Sequence, residues 1–408
     1  MKVLQINKYF YTKGGADAVF FNTMELLSSR GHTVIPFCTA NTRNATSIYS
    51  KFFVDAPEIR DQSFLRKVLS VGRFIWNKEA ARQLEKLILI EKPDIAHLHN
   101  IFNGLSLSIL PILKKYRIPV VITIHDTRFI CPSSYFHTRS YCQNCLKWGS
   151  LSCVVHRCYQ DNFLNSLMCS MEMLHKEKLF NYNRFIDRYI FVSNCFQSFH
   201  SEKHSWFRDK GTVLYNFQPG IEKGQASCKK GEYLLFYGRI TVEKGIKTLV
   251  ETMKYVPDVN LIVVGTGPLL EELKCRQQSN VKFVGFKSGK ELFNLVSHAS
   301  FVIVPSEWEE NNPLTIIESY TLGKPVIGAR IGGIPEIIEE GKTGFIFEAF
   351  SKEDLLHTIK RAIKINDDKY LEMSQCAKKF ADIHFSPESH YNQLINIYNS
   401  VIKEHENY

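Results

Sequence analysis

Residues 301–329 read FVIVPSEWEENNPLTIIESYTLGKPVIGA, and this stretch decides the fold. Its first five residues form an apolar run of strand length, which predicts a buried β-strand. An acidic turn follows, then a helix predicted over 313–322 with Gly323 as its end, then a second buried strand, PVIGA, at 325–329. A strand, a helix and a strand in this order are typical of a parallel α/β sheet.

The same alternation fills the chain in two successive series. The first series has strands at 2–7, 32–38, 93–99, 119–126 and 188–193, and the second at 233–238, 260–265, 281–286, 301–305 and 325–329. The polar, Gly- and Lys-rich stretch 218–232 between them predicts a hinge. We predict two doubly wound domains whose strand ends face a central cleft. The first comprises residues 1–217 with 386–408, because the last helix is predicted to cross back to it, and the second comprises 218–385.

Length and composition limit the class of protein. A chain of 408 residues fits two domains better than one at about 150 residues each. With 44% hydrophobic and 23% charged residues, it is neither disordered nor fibrous. No apolar run approaches the roughly 18 residues of a membrane span, and the start, MKVLQINKYF, lacks the apolar core of a secretory signal. We expect a cytoplasmic protein.

Positive charge is concentrated in the first half. Residues 1–218 hold 28 Lys and Arg against 16 Asp and Glu, whereas residues 219–408 hold 23 against 25. Charge alone does not choose between nucleic acid, anionic lipid and a phosphorylated substrate. Since no nucleic-acid module is recognisable, we expect no nucleic-acid partner. The stretch 64–76, FLRKVLSVGRFIW, predicts either a helix at an anionic membrane surface or a domain helix that buries its apolar side.

Two glutamates mark the start of the helix at 313–322. Asn312 is predicted as the N-cap and Pro313 as the first helical residue, so that free N–H groups suit a diphosphate. Glu310 precedes this helix and Glu318 lies in its second turn, where both can accept bonds from sugar or ribose hydroxyls. The alternative is a solvated acidic loop.

Two further loops carry candidate phosphate ligands. Arg239 and Lys244 flank a turn after the strand at 233–238, where both cations can hold phosphate oxygens. Gly265 and Gly267 end the next strand and let the backbone approach a nucleotide closely, although the third glycine of the dinucleotide motif is missing.

These motifs together resemble family 4 of the retaining, metal-independent glycosyltransferases with the GT-B fold. The matching stretches are YGRITVEKG (237–245), VVGTGP (263–268), the Glu310 and Glu318 pair, GKPVIGARIGGIPEII (323–338) with GKTGFIF (341–347), KGGAD (13–17), DIAHLHN (94–100) and VITIHD (121–126). The resemblance spans nearly the whole chain. It implies two Rossmann-like domains, with the second binding a nucleotide sugar and the first shaping the acceptor site.

The resemblance also implies a role for each matched residue. Arg239 and Lys244 hold the diphosphate of the donor, Glu318 takes the ribose hydroxyls, and Glu310 takes those of the donor sugar. The backbone around Asn312, Pro313 and Leu314 faces the sugar, and Gly15 lets the first loop approach the phosphates. His125 contacts the sugar near the reacting carbon, where we assign it positioning rather than proton removal.

The candidate residues of the acceptor site belong to the first domain. Strand 93–99 puts His97 and His99 on one face, which is typical of a polar pocket or of core histidines more than of a metal pair, because a third ligand is missing. We place His99, Asp126 and Arg128 on the acceptor side.

Five of the eleven cysteines follow the His125 strand, in a predicted insertion at about 131–158. The spacing of Cys142, Cys145, Cys153 and Cys158 predicts a structural zinc site, with unligated or redox thiols and an iron–sulfur cluster as alternatives. The insertion could shape acceptor choice.

The sequence therefore predicts a retaining glycosyltransferase that needs no cofactor for catalysis. Its donor is a nucleoside diphosphate sugar and its acceptor a saccharide or lipid-linked glycan of a surface polysaccharide, reached from the inner face of the membrane. The alternatives are an epimerase or phosphorylase on the same fold and a non-enzymatic nucleotide-binding protein.

Overall fold

A computed structural model describes residues 1–55, 72–133, 142, 144–219, 226–275 and 278–406. The chain divides into two compact units. Unit 1 contains Met1–Leu214 and Tyr391–Tyr408, and unit 2 contains Tyr215–His390. Each unit has its own hydrophobic core around a parallel sheet.

Unit 1 is built on six parallel strands in the order β2-β1-β5-β6-β7-β8. Their bounds, with those of the small parallel pair β3 and β4, are β1 Lys2–Ile6, β2 Thr33–Phe37, β3 Thr39–Ala40, β4 Val54–Asp55, β5 Ile95–Leu98, β6 Val120–Ile124, β7 Arg188–Phe191 and β8 Gly211–Val213. The central strands are buried over their whole length, as expected for a sheet covered on both faces.

The helices of unit 1 pack around this sheet. They are Gly15–Ser29, Lys78–Glu91, Leu110–Lys115, Asn144–Trp148, Ser152–Val155, Phe163–Leu174, Asn194–Lys203 and Trp206–Asp209, with a π-helical turn at His175–Phe180. The last helix, Pro387–Glu406, packs Leu394, Tyr398 and Val401 into a cluster with the sheet residues Val3 and Ile95. The predicted return of the C-terminal helix to the first domain is therefore observed.

Unit 2 has six parallel strands in the order β11-β10-β9-β12-β13-β14. They are β9 Tyr233–Tyr237, β10 Asn260–Val264, β11 Val281–Phe283, β12 Ala299–Val304, β13 Val326–Ala329 and β14 Gly344–Phe347. The helices are Ile246–Met253, Leu270–Lys274, Gly289–Ser297, Leu314–Thr321, Ile334–Ile337, Lys352–Ile363 and Asp367–His384. Strand β14 was absent from the sequence prediction.

Both sheets reverse their winding direction beside the first strand of the unit. In unit 2 the chain runs from β9 outward to β11 and then resumes at β12 on the other side of β9. In unit 1 the equivalent reversal lies between β1 and β5. Loops leaving such a pair of strands diverge and open a crevice at the carboxyl edge, which is where doubly wound sheets bind ligands.

Candidate active site

The crevice of unit 2 lies between the loops that follow β9 and β12. The loop after β9 carries Arg239 and Lys244, and the loop after β12 carries Glu310. Gly245 lets the two loops touch: it has φ +65°, and a Cβ at this position would lie 1.7 Å from the carbonyl oxygen of Pro305. The fold therefore brings Glu310 close to Arg239 and Lys244, which precede it by about seventy positions in the sequence.

Lys244 and Glu310 form an ion pair in this crevice. Lys244 Nζ donates to Glu310 Oε1 over 2.6 Å, and the Ser306 hydroxyl donates to the same oxygen over 2.7 Å. Burial acts to raise the pKa of Glu310, but Lys244 and Ser306 outweigh it and hold that pKa below its ordinary value.

The ion pair leaves one carboxylate oxygen available. Among the described residues, both hydrogen bonds of the Glu310 carboxylate go to Oε1, so Oε2 can accept a hydroxyl from a ligand. The side chains of Lys244 and Glu310 retain 26% and 12% of their exposure, so a ligand can reach both. The Gly333 N–H donates to the Glu310 carbonyl over 2.7 Å and holds the loop in place.

Arg239 lies at the open side of the same crevice. Its side chain is 69% exposed, and its Nη2 atom lies 3.6 Å from Glu243 Oε1. An exposed pair at this distance contributes little to stability, so the guanidinium can turn toward an arriving anion without a large loss.

The prediction that Asn312 caps the following helix is wrong. Helix Leu314–Thr321 has Pro313 in the N-cap position and no side-chain cap. Asn312 Oδ1 instead accepts from the Asn216 backbone N–H over 2.8 Å, and its carbonyl accepts from Asn216 Nδ2 over 3.1 Å. The first N–H groups of the helix, starting at Leu314, still lack an i−4 partner and can meet an anion.

Glu318 lies on the second turn of that helix. Burial raises the pKa of Glu318 to about 7, and the neighbouring Tyr237 hydroxyl acts in the opposite direction. Tyr237 itself donates to the Thr315 carbonyl over 2.8 Å, which fixes its ring against the helix. Near neutral pH the carboxyl group of Glu318 is therefore close to its titration midpoint.

Gly265 and Gly267 serve loop packing. A Cβ at Gly265 would lie 1.9 Å from the Gly238 carbonyl oxygen, and one at Gly267 would lie 2.3 Å from the Ile240 carbonyl oxygen. The Ile240 N–H donates to the Thr266 carbonyl over 2.9 Å. These glycines let the loop after β10 support the loop that carries Arg239; their contact with a nucleotide stays a prediction.

In unit 1, the loop after β1 leads directly into helix Gly15–Ser29. Asp17 ties the loop to this helix: its Oδ2 accepts from the backbone N–H groups of Lys13 and Gly14 over 3.2 and 3.1 Å, and its Oδ1 accepts from Asn7 Nδ2 over 2.9 Å. Gly15 is the first helical residue, so its backbone lies at the positive end of the helix dipole.

His125 ends a buried chain of hydrogen bonds. Its Nε2 lies 2.9 Å from His99 Nδ1, and His99 Nε2 lies 3.1 Å from Gln5 Oε1. Because an amide oxygen can only accept, His99 carries its proton on Nε2; for neutral rings, His99 Nδ1 then accepts from His125 Nε2–H. This tautomer leaves His125 Nδ1 as a hydrogen-bond acceptor. Burial lowers the pKa of His125 to about 4, so the ring stays neutral at physiological pH.

The same chain reaches the C-terminal helix. Tyr398 OH lies 2.6 Å from His97 Nδ1, and His97 Nε2 lies 2.7 Å from Thr123 Oγ1. Gln5 Nε2 lies 3.3 Å from both Tyr398 OH and His97 Nδ1. His97 is therefore a core histidine. His99, at 3% exposure, contacts His125, and its acceptor-side role stays a prediction.

The acceptor-side assignment of Arg128 does not fit the structure. Its side chain is 2% exposed and pairs with Glu172 Oε2 at 2.5 Å, and it donates to the Pro132 carbonyl and to Asn103 Oδ1. Arg128 thus forms a core ion pair with Glu172 of helix Phe163–Leu174, and it contacts the start of the insertion through the Pro132 carbonyl. Asp126 accepts from the Arg128 backbone N–H over 2.8 Å and is partly exposed, so its acceptor-side role stays a prediction.

The cysteines of the insertion lie near one another, together with Cys131. Burial, together with the neighbouring Cys131, Cys158 and Cys142, raises the pKa of Cys145 to about 12. A hydrogen bond joins the thiols of Cys153 and Cys158, raising the pKa of the first and lowering that of the second. In the part of the chain that the structure describes, no three His, Cys, Asp or Glu side chains are placed to hold a metal ion. Zinc stays a prediction.

Most of the predicted membrane stretch 64–76 lies outside the described residues. Of its last residues, Phe74 is buried with Met168 and Cys169, and Trp76 packs edge-on against Phe180. This end of the stretch therefore matches the alternative of a domain helix. Within the described ranges, no helix combines the length and hydropathy that a membrane span requires.

Several residues of the site were missed by sequence reasoning. Ser306, Tyr237 and Gln5 were given no role, although Tyr237 begins the stretch YGRITVEKG and each of the three lies on or directly after a predicted strand. Tyr398 could have been suspected only from its place on the inward face of the returning helix.

Comparison with protein families identifies both halves of the chain. A model described as Glycosyltransferase Family 4 matches residues 13–217, and one described as Glycosyl transferases group 1 matches residues 218–380. A crystal structure of the Anabaena protein HepE in complex with UDP and glucose superposes with a TM-score of 0.64 at 17% identity, covering 98% of this chain and all of that one. The predicted GT-B fold class, with two Rossmann-like domains, is confirmed.

Two curated relatives match different shares of the chain. An uncharacterized protein in the cps region of Klebsiella pneumoniae is 23% identical over 353 residues, covering 83% of this chain and 87% of that protein. The UDP-Gal:alpha-D-GlcNAc-diphosphoundecaprenol alpha-1,3-galactosyltransferase of Escherichia coli is 26% identical over 192 residues, covering 42% of this chain. That match spans 48% of the Escherichia coli enzyme.

Proposed function

The chain belongs to Glycosyltransferase Family 4, and we propose that it transfers a sugar from a nucleoside diphosphate sugar to a hydroxyl with retention of configuration. That it is a glycosyltransferase follows from its family. The observation that carries the donor half of the proposal is the Lys244–Glu310 pair, which lies at the carboxyl edge of unit 2 where doubly wound sheets bind nucleotides.

In this proposal Lys244 and Arg239 stabilise the leaving diphosphate. Bond cleavage leaves negative charge on the nucleotide and positive charge on the sugar, so fixed cations near the phosphates lower the barrier. Lys244 has three protons and donates one of them to Glu310, which leaves donors for phosphate oxygens. Arg239 can close on the same group from the exposed side, and the first N–H groups of helix Leu314–Thr321 add a further positive end.

The carboxylates in turn recognise hydroxyl groups. Glu310 Oε2 accepts from the donor sugar, and Glu318 accepts from the ribose. In unit 1, His125 Nδ1 is the acceptor that we assign to the sugar, because the neutral tautomer fixed by His99 presents a lone pair and no charge. A neutral His125 positions the sugar and does not compete with the proton transfers of the reaction.

We propose that the reaction needs no metal ion, because three kinds of positive group already face the diphosphate. For the acceptor, we propose a lipid-linked glycan in the synthesis of a surface polysaccharide. This is supported by the location of the Klebsiella relative in a cps region and by the diphosphoundecaprenol in the name of the Escherichia coli relative. Metal independence and the lipid-linked acceptor are both proposals for this chain.

Substitution of the two proposed phosphate ligands, Lys244 and Arg239, tests this function. Lys244→Ala and Arg239→Ala should each lower kcat/KM for transfer at least about 100-fold, as expected for loss of a preorganised charge in the transition state. Activity should persist in EDTA. Lys274→Ala, another cation of unit 2 in a surface pair, is the matched control and should leave transfer unchanged. A strict requirement for Mg²⁺ together with an indifferent Lys244 would refute the proposal.

A further inference from the structure

Helix Phe163–Leu174 carries apolar residues on its outward side as well as on its inward side. Its inward side buries Met168, Cys169 and Met173 together with the polar residues Ser166, Ser170 and Glu172. Leu164 and Met171, on the outward side, are 70% and 47% exposed. An amphipathic surface helix normally presents polar residues on that side. The buried polar groups are satisfied inside unit 1, since Glu172 pairs with Arg128 and the Ser170 hydroxyl donates to Ser150.

The outward apolar residues form one stripe. At about 100° per residue, positions 163, 164, 167, 171 and 174 fall within an arc of about 100°. We call Phe163, Leu164, Leu167, Met171 and Leu174 the apolar stripe; all are exposed except Leu167, which is partly buried. Monomeric soluble proteins rarely leave such a surface uncovered.

The neighbouring elements of the insertion also expose apolar side chains. Helix Ser152–Val155, which packs on the striped helix, exposes Val155, and helix Asn144–Trp148 exposes Trp148 to 78%. The π-helical turn that follows the striped helix exposes Leu179. Tryptophan at an exposed position is typical of the interface between water and lipid.

The exposed charges around the stripe are mostly positive. Over the described part of residues 142–180, the exposed charged side chains are Lys147, Arg157, Asp161 and Lys178. The two other carboxylates are withdrawn into ion pairs, Glu172 with Arg128 and Glu177 with Lys203. Three cations against one carboxylate complement an anionic surface.

We propose that the apolar stripe docks on an anionic lipid bilayer. The helix would lie in the plane of the membrane surface, with its apolar side chains among the lipid headgroups and acyl chains and Lys147, Arg157 and Lys178 near the phosphates. The inference deepens the proposed function, because a lipid-linked acceptor requires the enzyme at the membrane. It assigns that contact to helix Phe163–Leu174, which follows the predicted insertion at about 131–158 and is distinct from 64–76.

Vesicle binding tests the stripe directly. The full-length protein should sediment with vesicles of phosphatidylglycerol and phosphatidylcholine far more than with phosphatidylcholine alone, and high salt should release it. The double variant Leu164→Gln, Leu174→Gln should lower the partition coefficient at least about tenfold, because it removes two apolar contacts from the headgroup region. Reversal of Lys147, Arg157 and Lys178 to Glu should abolish the preference for the anionic lipid.

The matched control is Leu89→Gln with Ile90→Gln, two apolar residues of helix Lys78–Glu91 in the same unit that are 56% and 62% exposed. This variant should bind vesicles as the unaltered protein does. Circular dichroism and transfer to a soluble acceptor should be unchanged in both variants, which separates a failure of docking from a failure of the proposed function.

Two results would overturn the inference. The first is equal vesicle binding by the stripe variant and the unaltered protein. The second is a dimer in sedimentation velocity that dissociates in the stripe variant while vesicle binding is absent, since the stripe would then meet a second copy of the chain.

Discussion

We predict that the carboxyl group of Glu318 makes nucleotide binding depend on pH. Burial raises the pKa of Glu318 to about 7 in the free protein. Ribose hydroxyls donate hydrogen bonds, so they bind the ionised carboxylate better than the protonated acid. Binding therefore favours the ionised form and lowers the pKa in the complex. Affinity should be highest above pH 7 and should be lost as the pH falls through 7.

The size of the effect follows from the titration. With a pKa of about 7, the ionised fraction is about nine tenths at pH 8 and about 3% at pH 5.5. If only the ionised form binds, the dissociation constant should rise about 30-fold over this range, which corresponds to about 2 kcal/mol. At pH 6, binding should release close to one proton per nucleotide.

Isothermal titration calorimetry in buffers of different ionisation enthalpy measures both quantities. UDP-glucose is a suitable first probe, because its diphosphate is a diester without a proton that titrates in this range. Glu318→Gln should remove the slope and bind at all pH values about as weakly as the unaltered protein does at low pH. Glu310→Gln is the control that should keep the slope, because the pKa of Glu310 lies below its ordinary value and that group is already ionised.

A dissociation constant that does not change with pH in the unaltered protein would refute this reasoning. So would a slope that persists in Glu318→Gln, because the titrating group would then lie elsewhere.

Three further predictions concern single side chains. Glu310→Gln should lower kcat more than donor affinity, because its contact with the sugar strengthens as charge develops, and equal effects on both would contradict this. His99→Leu should lower turnover and leave the dissociation constant of the nucleotide unchanged, because it frees the tautomer of His125, while His99→Asn should restore part of the rate; an unaffected turnover would count against positioning. Elemental analysis should find about one zinc per chain and its loss in Cys145→Ser, whereas protein prepared without chelator that contains no metal would exclude the zinc site.

The overall architecture could be predicted because it depends on local pattern. Continuous apolar runs such as 119–124 and 301–305 indicate strands buried on both faces, and the helices between them force a parallel sheet. Strand β14 was missed because its sequence, GFIF, is short and lies between glycine and a charged segment. Strands β3 and β4 have two residues each, which is too short for the alternation of apolar and polar residues to be detected.

The failures share one physical cause, which is a partner distant in the sequence. Asn312 has the residue type and spacing of an N-cap, but Asn216 claims its side chain. Arg128 follows His125 closely and was taken for a site residue, yet its partner Glu172 lies 44 positions further along and draws it into the core. Local sequence shows what a side chain can do, whereas the fold decides which of the available partners it meets.

The pair of Lys244 and Glu310 shows why these site residues belong together. A diphosphate entering beside an unpaired glutamate would meet repulsion at short range. Joined to Lys244 at 2.6 Å, Glu310 has its pKa held below the ordinary value. Lys244 can then donate its remaining N–H groups to the phosphates. Its bond to Glu310 at the same time offsets the negative charge of that carboxylate beside the sugar. In the function proposed above, donor recognition and stabilisation of the leaving group would thus depend on one shared hydrogen bond. That bond would couple occupation of the sugar position to the charge presented to the phosphates.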